Sequence, residues 1–437
     1  DVEVRERKVP AIHADLRVGA DVASAVPLRA NEGVSFQGMN LVGKGFRLAP
    51  EDVRALGYHA EALPDVIKPH RNARDMMQGG DDCYVIDFFG HSAEQARDQH
   101  PALYQWLVDR VKPERDHNNR AGYRDKWWQF GEARGKLRSA WRGLTRVVLT
   151  PETAKHRVFE FQALPFCPDH KLYAICSADA FLLGVLSSRT HAQWALRAGG
   201  RLGVGNDATW TNTTTFLTFP YPACADAQAT RIRDLAEQLD AHRKRQQAQH
   251  PKLALTDMYN VLEKLRAGEP LTAKDKAVHE QGLVSVLRQI HDELDAAVCD
   301  AYGWPVTLAA EELLARLVAL NAERAAEEAQ GLVRWLRPEY QAPADHAARI
   351  TQHVLIHEDS PIYEISLETR PLLPWPGRMA EQAQAVRAAL VALGGPASAA
   401  QVAAAFAAAP ADRVAELLET LVTLGQARGT AEGFFMG

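Results

Sequence analysis

The stretch RVVLTPETAKHRVFEFQALPFCPDHKLYAI, residues 146–175, decides the fold of the first half of the chain. Apolar runs stand at 146–150, 157–161 and 171–175, and Pro, Asp and polar residues separate them. Short apolar runs between turn-forming residues are typical of strands in a buried sheet. A similar run at 84–89, together with helical periods at 101–111 and 178–186, predicts a mixed α/β domain over residues 33–225.

Helical patterning dominates the next region, residues 226–380. Apolar residues recur every three or four positions from Ile232 to Leu239 and from Leu283 to Val298, which places them on one helix face. Prolines then cluster between residues 338 and 376, and proline disfavours the interior of a helix. We therefore predict a helical bundle or spacer that continues into a Pro-rich connector.

Residues 381–437 predict a small separate unit. One helix ends at a Gly-Gly-Pro step, Ser398 caps a short second helix, and Asp412 caps a longer third one. Glycines near the end of the chain suit a two-stranded hairpin, so the order is that of a winged helix. The third helix carries Glu416 and Glu419, whereas a DNA-reading helix is normally basic. A packing or interaction module and a DNA-contacting unit both remain open.

Composition limits the class of protein. The chain has 437 residues, of which 46% are hydrophobic and 24% charged, and this predicts a globular protein of two or three domains. With the strand and helix patterns above, the predicted fold class is α+β. Its five cysteines lack the CxxC spacing of a zinc site, and no apolar run approaches the ~18 residues of a membrane helix. The chain starts at Asp1 without a signal peptide. We therefore expect residues 1–32 to be a linker or the tail of a preceding domain.

Positive charge is concentrated in one segment. Residues 101–160 hold 13 Lys and Arg against 7 Asp and Glu, although the whole chain has a net charge of −5. An acidic protein with one basic band is suited to contact a polyanion on one side. The alternative is an ordinary helix surface whose charges pair locally. Trp127 and Trp128 lie within this band, and for them a core position is the favoured interpretation.

Two further segments fit contacts with nucleic acid. GGRLGVGND, residues 199–207, lacks the Rossmann and Walker patterns but leads into a strand rich in Thr and Asn. A flexible loop of this kind can enter a DNA groove, and a plain hairpin turn is the alternative. The polar turn at 68–75 could bind phosphates through Arg71 and Arg74, unless these arginines form structural salt bridges.

These patterns define two sets of candidate DNA-binding residues. Those expected to bind phosphates are Arg71, Arg74, Lys112, Arg115, Arg120, Arg134, Lys136, Arg138, Lys155 and Arg157. Those expected nearest the bases are Asn118, Asn119, Arg201, Asn206, Asp207, Trp210, Thr211 and Asn212.

A series of short motifs resembles one protein family. The motifs of the first half are FQGM (36–39), GKGFRL (43–48), VIKP (66–69), Arg74-Asp75, YVIDF (84–88), KPERD (112–116), Trp127-Trp128, TAKHRVF (153–159), FLLGVLSS (181–188) and FPYP (219–222). Through them the chain resembles the target-recognition part of the MmeI-like DNA adenine methyltransferases of restriction–modification and phage-defence systems. The helical region resembles the part of those enzymes that follows, through HDELD (291–295) and AYGWP (301–305).

The resemblance implies a division of labour. In this family a separate catalytic half uses S-adenosylmethionine to methylate the exocyclic amine of a flipped adenine. That half needs a Gly-rich cofactor loop and an Asn-Pro-Pro-aromatic motif, and this chain has no Asn-Pro dipeptide. We therefore expect no catalytic residue, metal or cofactor in this chain, and expect loops near 199–215 to set which bases are read.

The expected partners are double-stranded DNA and a methyltransferase domain, in the same polypeptide or in a separate subunit. The expected location is the bacterial cytoplasm, in association with the nucleoid. The alternative is a stand-alone specificity subunit or regulator without its own catalytic half.

Overall fold

A computed structural model of the protein divides the chain into two compact units, Asp1–Ala348 and Arg349–Gly437. It describes residues 19–80, 83–202 and 207–344 of the first unit. In the second unit it describes residues 373–376, 378–393, 397–403, 405–407, 409–423, 427–430 and 433–435. Asn206 and most of the predicted Pro-rich connector lie outside the described residues.

The first unit is built on the sheet that the stretch 146–175 predicts. Its strand order is β1–β9–β5–β7, and all neighbours are antiparallel. In its centre Val148 lies opposite Ile175 on one side and Phe161 on the other. Nearly every residue of β5 and β9 is buried, so both faces of the sheet are covered. The strands are β1 (Ser35–Gln37), β5 (Arg146–Pro151), β7 (Glu160–Ala163) and β9 (Leu172–Ile175).

Two smaller sheets complete the strands of this unit. One has the order β2–β4–β3–β8 and the other the order β10–β11–β6. The run predicted at 84–89 ends as a strand at Ile86, because the Asp87 carboxylate accepts the Phe89 N–H at 3.2 Å and turns the chain. The strands are β2 (Arg47–Leu48), β3 (Ile67–Arg71), β4 (Tyr84–Ile86), β6 (Thr153–Ala154), β8 (Cys167–Pro168), β10 (Arg201–Leu202) and β11 (Asp207–Thr209).

Short helices connect these strands. Helix α8 (Ala180–Ser187) is apolar on nearly every face and packs against the long helix α10 (Asp226–Gln249), where Gly184 allows Ile232 to approach closely. The helices up to residue 198 are α1 (Pro50–Ala55), α2 (Ala73–Gln78), α3 (Ala93–Gln99), α4 (Pro101–Arg110), α5 (Lys112–Asp116), α6 (Ala121–Asp125), α7 (Gly135–Ala140), α8 (Ala180–Ser187) and α9 (Arg189–Ala198).

The predicted helical region follows and shares its core with the sheets. One apolar cluster runs from Ala20 to Leu317, so strands and helices fold as one unit. The predicted domain boundaries at residues 225 and 380 stay predictions. The helices are α10 (Asp226–Gln249), α11 (Leu255–Ala267), α12 (Ala273–Gly282), α13 (Val284–Ala301), α14 (Ala310–Ala329) and α15 (Pro338–Gln341).

Residues 19–32, assigned from the sequence to a tail or linker, pack into the first unit. The side-chain amide of Asn31 donates to the carbonyls of Phe216, Leu217 and Phe219 at 2.9–3.1 Å. The Glu328 carboxylate accepts the N–H groups of residues 29 and 30. This segment therefore bridges the recognition and helical regions.

The second unit has the predicted winged-helix order. Ser398 accepts the N–H of Gln401 and so caps the second helix. The core includes Leu390, Phe406 and Leu417. Its elements are β12 (Leu373–Pro374), α16 (Met379–Leu393), α17 (Ala399–Ala403), β13 (Phe406–Ala407), α18 (Ala411–Thr423), β14 (Arg428–Thr430) and β15 (Gly433–Phe435).

Two further properties concern the described residues only. Within them, every helix is too short or too polar to cross a membrane. Across the same residues, His, Cys, Asp and Glu side chains do not gather in a group of three or more that could hold a metal ion.

Candidate nucleic-acid interface

Three arginines of the basic band are structural, which corrects the prediction that they bind phosphates. Arg115 is only 1% exposed, and its guanidinium donates to the carbonyls of Leu41 at 2.9 Å, Gln129 at 3.2 Å and Tyr123 at 3.4 Å. Burial lowers the pKa of this guanidinium. Because its donors close the loops around residues 41 and 129, Arg115 is not available to DNA.

Arg138 is the second correction. Its guanidinium forms a bidentate pair with Asp87, at 2.7 and 3.1 Å, and its Nε donates to the Ala133 carbonyl at 2.7 Å. The Arg138 side chain is 14% exposed and that of Asp87 only 2%. A buried carboxylate needs a partner, so Arg138 is committed to Asp87.

Arg157 is the third correction. It donates to the Thr150 hydroxyl at 3.1 Å, to the Pro151 carbonyl, and to the Ala208 carbonyl at 3.0 Å. Burial lowers the pKa of this guanidinium to about 10. Arg157 therefore ties the β10–β11 hairpin to the central sheet.

Several other cations of the band lie on the surface. Arg120 is exposed and donates to the Tyr123 hydroxyl at 2.9 Å, while the half-buried Lys112 pairs with Asp116 at 2.6 Å. Lys136 is exposed and has no ion pair with another residue that the structure describes. The Asn118 side chain accepts the N–H of Arg120 and stabilises this turn, and Asn119 is exposed beside it. Lys136 is thus an exposed cation in the first turn of α7.

Strands β10 and β11, on either side of residues 203–206, pair antiparallel as in a hairpin, which is the plainer of the two interpretations of the glycine-rich segment. Arg201 pairs with Ala208 in the hairpin, and Thr209 pairs with Thr153 of β6. Asp207 is exposed, whereas residues 203–206 lie outside the described part of the chain. Lys155 is exposed but is held by Asn260 at 2.7 Å and Glu263 at 3.3 Å.

Trp210 is also structural, so the expectation that it lies near bases is wrong. It is fully buried, and its ring packs within 5.1–6.0 Å of Tyr173, Phe159 and Phe216. The pair Trp127 and Trp128 follows the favoured core interpretation, since both rings pack against the apolar core. The indoles of Trp127, Trp128 and Trp210 therefore contribute to the packing of the core.

One predicted arginine lies near Tyr173 through Gln37, and one predicted asparagine lies near it through its backbone. Arg134 donates to the Gln37 side chain at 2.9 Å and pairs with Glu132 at 2.6 Å. Burial, followed by the Glu152 carboxylate, raises the pKa of the Tyr173 phenol, against smaller effects of the Arg134 guanidinium and the Asn212 backbone. We call Gln37, Glu132, Arg134, Tyr173 and Asn212 the Tyr173 site.

The backbone of the Tyr173 site is unusual. Arg134 has a φ of +52°, a left-handed conformation that non-glycine residues rarely adopt and that is enriched at functional sites. The chain at Asn212–Phe216 forms a single π-helical turn, capped by the Thr211 side chain. The Asn212 side-chain oxygen is buried and has no hydrogen-bond partner among the described residues.

The two arginines of the 68–75 turn, Arg71 and Arg74, have different roles. Arg71 lies 3.4 Å from the buried Glu160 on β7. This is the structural salt bridge that the sequence analysis gave as the alternative to phosphate binding. Arg74 is exposed at the start of α2, and no contact joins it to the Tyr173 site among the described residues. Arg74 therefore stays a candidate for phosphate.

Gln37 and Tyr173 were absent from the predicted site. Gln37 lies within the motif FQGM, and Tyr173 lies on strand β9. The sequence does not single out Tyr173, because it stands in the continuous apolar run LYAI and is itself only 7% exposed. Only the pairing of Gln37 with Tyr173 across β1 and β9 brings them together.

Comparisons with known proteins add a family. Residues 23–223 match the family described as MmeI, target recognition domain. The chain is similar in fold to the solved type IIL restriction–modification enzyme MmeI in complex with DNA, with a TM-score of 0.57 and 17% sequence identity. That similarity covers 73% of this chain and 39% of the MmeI chain, so this chain spans well under half of its length. A search of the curated proteins finds no match. We therefore assign residues 23–223 to the MmeI target recognition domain family.

Proposed function

We propose that this chain is the DNA-recognition portion of a site-specific DNA adenine methyltransferase of the restriction–modification type. The observation that carries the proposal is the target recognition domain over residues 23–223, which contains the Tyr173 site and the exposed Lys136. In the proposal, duplex DNA lies along the face formed by the Tyr173 site and the start of α7.

The proposal separates affinity from specificity. Lys136, Arg120 and Arg74 neutralise phosphates, since these three side chains are exposed. Asp207, the hairpin and the amide nitrogen of Asn212 read base edges, because carboxylate oxygens and N–H donors match donors and acceptors in the major groove. A methyltransferase domain, in the same polypeptide or separate, extrudes and methylates adenine with S-adenosylmethionine, which this chain does not bind. The proposed location is the bacterial cytoplasm, in association with the nucleoid.

Selection from a random pool of duplexes tests whether this chain recognises a DNA sequence. The chain is expected to enrich one consensus sequence, with an affinity that falls steeply as salt rises. Binding without any consensus would contradict a role in target recognition.

Mapping of methylated adenines tests whether the recognised sequence is the site of adenine methylation. In a host that carries the full gene, we expect methylated adenine within the enriched consensus, and we expect it to vanish on deletion of the gene. Enrichment without methylation would favour the stand-alone specificity subunit or regulator.

A further inference from the structure

Phe89 is an exposed aromatic side chain held in a fixed position. Its side chain is 43% exposed, whereas its neighbour Phe88 is 1% exposed in the core. Among the exposed large hydrophobic side chains of the described residues, Phe89 is the aromatic one. Single exposed apolar side chains are common on protein surfaces, so it is the fixed position of this ring and the charge beside it that mark it out.

The loop that carries Phe89 is anchored at both ends. At its start, the Asp87 carboxylate accepts the Phe89 N–H at 3.2 Å. At its end, the His91 carbonyl accepts the Trp128 indole N–H at 3.0 Å and the Gln129 amide at 3.1 Å. The exposed ring therefore projects from a rigid turn rather than from a mobile loop.

A guanidinium supports the ring from one side. Arg138 lies 4.4 Å from the ring centroid, within the range of a cation–π contact. The same guanidinium forms the bidentate pair with Asp87, so one pair fixes both the turn and the ring. The ring is thus positioned before any ligand arrives, which lowers the entropic cost of using it in binding.

Positive charge and the Tyr173 site lie beside the ring. Its tip is 3.8 Å from the point where a Cβ atom would sit on Gly135. Gly135 lies between Arg134 of the Tyr173 site and the exposed Lys136. An apolar ring beside an accessible cation complements nucleic acid, in which flat apolar bases lie next to phosphates.

We infer that Phe89 is an aromatic wedge that packs against the bases of a locally unstacked step in the bound duplex. This inference rests on the proposed function, because it places the duplex on the face that includes Lys136 and the Tyr173 site. Phe89 contributes stacking and carries no charge. Its contribution to affinity is therefore independent of salt.

The experiment uses the full chain and a duplex enriched by it from a random pool. A fluorescent adenine analogue, whose emission rises on unstacking, replaces each adenine in turn. The wild-type chain is expected to raise the emission at one step. Phe89→Ala is expected to abolish this rise and to weaken binding on the order of tenfold, with the salt dependence unchanged.

Two further variants keep the test decisive. Phe89→Trp retains a flat ring and is expected to preserve both the emission and the affinity. Val286→Ala, at an exposed apolar position on α13, is the matched control and is expected to behave as wild type. Thermal unfolding of each variant separates loss of binding from loss of fold.

The failures can be told apart. If the wild-type chain binds no duplex, the proposed function itself fails. If it binds but raises no emission, or if Phe89→Ala matches it in emission and affinity, the wedge is wrong and the proposed function stands.

Discussion

The Tyr259 hydroxyl lies 2.9 Å from Nε2 of His291, and both side chains are buried. Arg243 donates to the same hydroxyl oxygen at 3.1 Å, which leaves the hydroxyl hydrogen free to point at His291. This arrangement suits a neutral imidazole that accepts a hydrogen bond. Burial, followed by the nearby Arg243 charge, lowers the pKa of His291 to about 3.

We predict from this that the first unit loses stability in mild acid. His191 and His70 are also buried, with pKa values lowered to about 3 and about 4 by burial first. In the unfolded chain these histidines bind protons near pH 6.5, whereas in the folded chain they stay neutral. Their contribution to the free energy of unfolding is therefore complete above pH 6.5 and is lost as the pH falls. The free energy of unfolding should fall by roughly 2 kcal/mol per histidine between pH 6.5 and 5.

Asp295 opposes the loss of stability in mild acid, but its effect on the free energy of unfolding is smaller than that of the three histidines together. Burial raises its pKa to about 6, so its contribution is lost as the pH rises through 6. Urea unfolding at several pH values measures the sum. His291→Gln should flatten the dependence by one histidine's share, while His59→Gln at an exposed position should not. Equal unfolding free energies at pH 6.5 and 5 would contradict the prediction.

A second prediction concerns the Asp87–Arg138 pair. Arg138→Ala should lower the free energy of unfolding by about 3 kcal/mol, because it leaves the buried Asp87 carboxylate without its partner. Lys136→Ala, two positions away and exposed, should change it by less than about 0.5 kcal/mol. Chemical denaturation of the two variants in parallel makes the comparison. Equal stabilities would mean that the pair is dispensable.

Lys136 is predicted to contribute affinity for every duplex. Lys136→Ala should weaken binding whatever the sequence and reduce the slope of log affinity against log salt by about 0.9, the value for one lost phosphate contact. Binding titrations at several salt concentrations give this slope. Lys276→Ala, at an exposed position on α12, should leave it unchanged. An unaltered slope for Lys136→Ala would place DNA on another face.

Asn212 and Asp207 are predicted to govern sequence preference. Asn212→Ala or Asp207→Asn should change the enriched consensus at one position, where loss of a good base contact costs on the order of tenfold in discrimination. Selection from a random pool compares each variant with wild type. Thr213→Ala, at an exposed position of the same turn, is the control. An unchanged consensus in both variants would remove these residues from base recognition.

Much of the fold could be predicted from the sequence because its signals are local. The helix predicted over 101–111 is observed at Pro101–Arg110, and the strand predicted over 146–150 is observed at Arg146–Pro151. Alternation, apolar spacing and capping residues act over a few positions, so one strand or helix carries its own evidence. The same holds for Ser398, which caps its helix as predicted.

The roles of the arginines were decided by the tertiary structure alone. By itself the sequence determined that residues 101–160 are basic, but not which cations remain free. Arg115 is bound by Leu41, 74 positions away, and Arg138 and Arg157 by partners 51 positions away. An arginine is buried only when distant carbonyls or carboxylates satisfy its donors, and folding brings those acceptors to it. The same long-range packing turned Phe88 inward and left Phe89 exposed beside Arg138.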